Sequence, residues 1–64
     1  MNQVLIDARK QRGMTISQAA ESLGISHGML AMLETGKRNG SDKTKIKIAK
    51  FYNKSIIELF YNNY

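Results

Sequence analysis

Apolar residues recur along this chain at helical spacing. Ile16, Ala19, Ala20 and Leu23 fall at offsets 0, 3, 4 and 7, the stripe of an amphipathic helix. No segment sustains the alternation of β-branched and polar residues that predicts a strand. Thr15-Ile16-Ser17-Gln18 has the form of a capping box and sets the start of that helix. Before it, a helix is predicted from about Asn2 to Arg12, with Leu5 and Ala8 inward and Gly13 as its stop. After it, Gly24 breaks the chain and Ser26 caps a third helix over about His27 to Thr35, which buries Leu30 and Leu33 and ends at Gly36. Residues 37–41 form a loop rich in turn formers. Ser41 or Asp42 then caps a fourth helix to about Tyr52, whose apolar positions Ile46, Ile48, Ala49 and Tyr52 are interrupted by lysines. A second capping box, Ser55-Ile56-Ile57-Glu58, opens a short fifth helix with Ile56, Leu59 and Phe60 available for burial. The expected fold is an all-α bundle of five helices, one domain over residues 1–64 with no repeat and no linker.

The connection between the second and third helices is the most informative feature. Two helices joined by the three residues Gly24-Ile25-Ser26 match the geometry of the DNA-binding helix-turn-helix, here about residues 16–35. In that motif the second helix enters the major groove. Ala20 is small where the two helices must approach, and Ile25, Leu30 and Leu33 are apolar where the third helix packs back. An ordinary helical hairpin needs a stripe and a glycine but not this spacing.

Charge adds a partner to this picture. Ten Lys and Arg against five Asp and Glu give +5, and the excess lies after Gly36, where Lys37, Arg38, Lys43, Lys45, Lys47, Lys50 and Lys54 face only Asp42 and Glu58. A localised basic region suggests a polyanion, although lysines also solvate helix surfaces. The chain has no cysteine, so burial must supply its stability, in a chain short enough to bury only about 60% of its unfolded surface. No apolar run approaches the roughly 18 residues of a membrane span, and Met1-Asn2-Gln3 lacks the layout of a signal peptide. A soluble cytoplasmic protein with no membrane partner is expected.

Taken together and in order, several pieces resemble the Xre, or Cro/CI-type, helix-turn-helix repressors of phages and bacteria. These are Arg9, Gly13-Met14-Thr15, Ala20, Leu23-Gly24-Ile25-Ser26, Leu30, Leu33-Glu34, Gly36-Lys37-Arg38-Asn39, Ile48-Ala49 and Ser55 to Phe60. The resemblance implies that Thr15, Ile16 and Ser17, with Lys37, Arg38, Asn39 and Lys43, lie against phosphates. It implies base contacts from the exposed face of the third helix: Ser26, His27, Gly28, Ala31 and Met32. It also implies an ion pair between Arg9 and Glu34. The chain departs from the family pattern in several places. Ile16 stands where a glutamine is usual, and Gly40, Asp42 and Lys45 replace a proline and two leucines, so the fourth helix is expected to be shifted or loosened. The reading face also lacks Arg, Asn and Gln, the side chains that bond guanine or adenine in pairs.

A single histidine with no cysteine is a poor metal site, and no nucleophile stands with a base and an orienting group. No enzyme activity and no cofactor is expected. Helical phase places Met29 in the core and Met32 outside. Double-stranded DNA is the expected partner, bound by a Cro-like homodimer in contact through Ile57, Leu59, Phe60 and Tyr61. Leu59 and Phe60 are equally readable as core. The alternative is a helix-turn-helix scaffold that binds another regulatory protein, as an antirepressor or accessory subunit, through Met32, Met29 and the segment from Tyr61 to Tyr64.

Overall fold

A computed structural model describes residues 1–61, so Asn62 to Tyr64, part of the suggested contact segment, lie outside the described residues. The described chain forms five helices: α1 (Gln3–Gln11), α2 (Ile16–Leu23), α3 (His27–Thr35), α4 (Asp42–Tyr52) and α5 (Ile56–Phe60). Each begins on a side chain that accepts a hydrogen bond from the first turn, namely Asn2, Thr15, Ser26, Ser41 and Ser55. Both capping boxes form, Thr15 with Gln18 and Ser55 with Glu58. Gly24 and Gly36 end α2 and α3 at φ 72° and 83°, a region in which a Cβ is strained.

All five helices contribute to one cluster of buried side chains, centred on Leu5, Leu30, Leu33, Ile48 and Leu59, with Ala19 and Ala20 allowing α2 to close on α3. Helix α1 packs on α3 and α5, and α4 packs on α2 and α5. Asn2 joins three parts of the bundle. Its side chain accepts from the Leu5 N–H and donates to the Leu59 carbonyl at 2.7 Å, while its backbone N–H donates to the Glu34 carbonyl at 2.8 Å.

The fourth helix corrects two expectations. It is not loosened, because Ser41 caps a regular helix of 11 residues. Its inward stripe is Lys45, Ile48, Ala49 and Tyr52, at offsets 0, 3, 4 and 7, so Ile46 is out of phase and 44% exposed. Lys45 holds its inward position by laying its stem along the core and carrying its ammonium to the Tyr61 hydroxyl.

Candidate nucleic-acid interface

The turn between α2 and α3 is built from backbone bonds. With Gly24 in the left-handed region, the Gly24 and Ile25 N–H groups return to the carbonyls of Glu21 and Ala20. Ile25 packs against the core, and the chain reaches Ser26 in an extended conformation. Ser26 Oγ accepts from the Met29 N–H at 3.0 Å, leaving its hydroxyl proton to donate outward.

This geometry exposes the start of α3. Ser26, His27 and Gly28 are exposed, Ala31 is half-buried, and Met32 is 41% exposed, while Met29 rests against the core. His27 Nδ1 lies 3.4 Å from Ser17 Oγ, so the first turns of α2 and α3 share one surface. Thr15 and Ser17 are exposed there. The side chain of Ile16 joins the core margin, which leaves only its backbone to face a ligand. The first N–H groups of a helix have no intrahelical acceptor, and this end of α2 is suited to an anion.

The basic loop closes the other end of α3. After Gly36, the N–H groups of Lys37 and Arg38 both donate to the Met32 carbonyl, at 3.0 and 3.3 Å, which closes the last turn of the helix. Lys37, Arg38, Asn39 and Lys43 are exposed. Arg38 lines one shallow depression together with Ser26, Gly28, Met29 and Met32. The sequence carries no signal for that placement, since it depends on how the loop returns.

An ion pair braces the motif from behind. Arg9 donates from Nε and Nη2 to the two carboxylate oxygens of Glu34, at 2.8 and 3.2 Å, and from Nη1 to the Met14 carbonyl at 2.9 Å. The two side chains are 12% and 4% exposed. One guanidinium thus ties α1, the α1–α2 connection and α3. Beside this pair stands Tyr52, whose hydroxyl is buried without a hydrogen-bond partner. Burial pushes the phenol pKa above its ordinary value, and the Glu34 carboxylate adds to the rise against the opposing pull of Arg9 and Arg12.

The suggested dimer contacts divide into two pairs. Ile57 and Tyr61 are 68% and 43% exposed, whereas Leu59 and Phe60 are buried in the chain's own core. Leu59 and Phe60 therefore offer no surface to a second copy, because α5 is short and must turn that face inward to pack on α1 and α4. Among the described residues, no group of three or more His, Cys, Asp and Glu is placed to hold a metal ion. No described helix is long and apolar enough to cross a membrane.

Residues 5–59 match the family described as helix-turn-helix. A similar protein is an uncharacterized HTH-type transcriptional regulator of Archaeoglobus fulgidus, 36% identical over 52 residues, which are 81% of this chain and 74% of that protein. No solved structure matches. The match spans α2, the Gly24 turn and α3 together with the helices that support them, and the chain belongs to the helix-turn-helix family, which is not a family of enzymes.

Proposed function

We propose that this protein is a Cro-like DNA-binding transcriptional regulator that lays α3 in the major groove and acts as a homodimer. One observation carries the reading. The exposed first turn of α3 adjoins the start of α2 with Thr15 and Ser17, and the far end of α3 leads into a loop that exposes Lys37 and Asn39, so the helix is flanked by two phosphate-seeking ends. The name of the Archaeoglobus relative supports the same reading. Phosphate contacts supply most of the affinity, and Ser26, His27, Gly28, Ala31 and Met32 face the bases. A homodimer doubles the short reading helix across half-sites about 34 Å apart.

The test is binding to duplex DNA at two salt concentrations, using the region upstream of the protein's own gene and a random sequence. Steep salt dependence is expected, and Lys37→Ala should lower the salt slope by roughly one unit on both duplexes. Met32→Ala should change the preference between them. A second reading, a scaffold that captures another regulatory protein, is favoured by the exposure of apolar Met32 in the middle of the reading face. It takes the place of the first if the wild type binds no duplex at low salt but retains a regulator through that face.

A further inference from the structure

The reading face of α3 is short of hydrogen-bonding side chains, since the residues from His27 to Met32 are His, Gly, Met, Leu, Ala and Met. None offers the forked donors that distinguish guanine from other bases. The fold brings such a fork to this face from outside the helix. The Lys37 and Arg38 N–H groups close the end of α3 on the Met32 carbonyl, and Arg38 lines one depression together with Ser26 and Gly28 from the start of the helix. The space beside Gly28 is open, with nothing within 4 Å of where a Cβ would stand. Among the described residues no carboxylate pairs with Arg38.

We propose that Arg38 reads a base rather than a phosphate. Its guanidinium bonds the O6 and N7 acceptors of one guanine in the major groove, while Met32 offers an apolar contact to a neighbouring base. This deepens the DNA-binding reading and rests on it. The chemistry separates the two roles of an arginine: a phosphate contact adds affinity for every sequence, whereas a paired contact to guanine depends on the O6 and N7 acceptors of that one base.

The experiment compares wild type, Arg38→Lys and Arg38→Ala on a duplex that the wild type selects from a random library and on a scrambled duplex, at two salt concentrations. Circular dichroism checks that each variant is folded. Arg38→Lys, which keeps the charge, should bind scrambled DNA within about twofold of wild type with the same salt slope, whereas Arg38→Ala should lose roughly 5- to 150-fold of the preference for the selected duplex. Replacing the guanines of the selected site one at a time with 7-deazaguanine should weaken the wild type at one position and leave Arg38→Ala unchanged there. If Arg38→Ala keeps the full preference, or if no 7-deazaguanine replacement weakens the wild type, Arg38 is a point charge on a phosphate and the assignment falls while the DNA-binding reading stands. If the wild type binds neither duplex at low salt, the DNA-binding reading fails and this assignment fails with it.

Discussion

Lys45 donates a hydrogen bond of 2.9 Å from Nζ to the Tyr61 hydroxyl and stands 4.9 Å from the centre of that ring. A lysine in the inward stripe of α4 is thus accommodated by a partner just past the end of α5. Replacing a buried charged group with an apolar one of similar volume is neutral or stabilising, whereas removing only its partner leaves the charge uncompensated. Lys45→Leu should hold or raise the melting temperature. Tyr61→Phe keeps the ring under the ammonium, loses the hydroxyl, and should cost about 1 kcal/mol. Thermal melts of the two variants check the opposite signs.

The Arg9 to Glu34 pair makes a sharper energetic claim. Glu34→Ala leaves a guanidinium facing the interior and should cost about 3 kcal/mol, a large part of the ~3 to 10 kcal/mol that holds a chain of this length. The double replacement Arg9→Met with Glu34→Leu should be less damaging than Glu34→Ala alone. Urea denaturation of the single and double variants measures the difference, and additive losses would count against the coupling.

Tyr52 should respond to pH. Its folded-state pKa lies above the unfolded value near 10 because burial disfavours the phenolate. The folded chain therefore holds this proton more tightly, so the contribution is fully present below about pH 10 and is lost as pH rises through the folded-state pKa. Tyr52→Phe removes a hydroxyl that is buried without a partner. It should raise stability by about 1 kcal/mol at neutral pH and abolish part of the alkaline decline. Denaturation curves from pH 8 upward compare the two proteins.

Dimerisation through α5 is testable at a residue that does not hold the fold together. Ile57 is largely exposed, so Ile57→Asp should change stability by no more than about 0.5 kcal/mol while shifting sedimentation from dimer to monomer. Leu59→Asp, at a core position, should unfold the chain.

Much of this architecture was legible because it rests on local chemistry. Thr15, Ser26 and Ser55 cap helices with side chains that act over three residues, and Gly24 and Gly36 terminate them through their own backbone preferences. Helical phase placed Met32 outside and Met29 against the core. Phase also identifies Lys45 as inward, but hydropathy favours its neighbour Ile46, and only the position of Tyr61 explains why the lysine is tolerated. The same holds for Arg38 and Tyr52. Their surroundings are set by how a loop returns and how two helices cross, and neither leaves a trace in residue spacing.

Asn2 has a consequence for how the molecule is made. Its amide bonds the carbonyl of Leu59, 57 residues further along, while its backbone N–H is held by Glu34 at the far end of α3. During synthesis the helix-turn-helix leaves the ribosome before α5, and until α5 follows, Asn2 has no acceptor at Leu59 and Leu5 and Ile48 lack one wall of their core. A nascent or truncated chain that ends before Ile56 would carry every residue of the proposed reading face on an unfinished scaffold. Only a chain translated through its fifth helix would then compete for DNA.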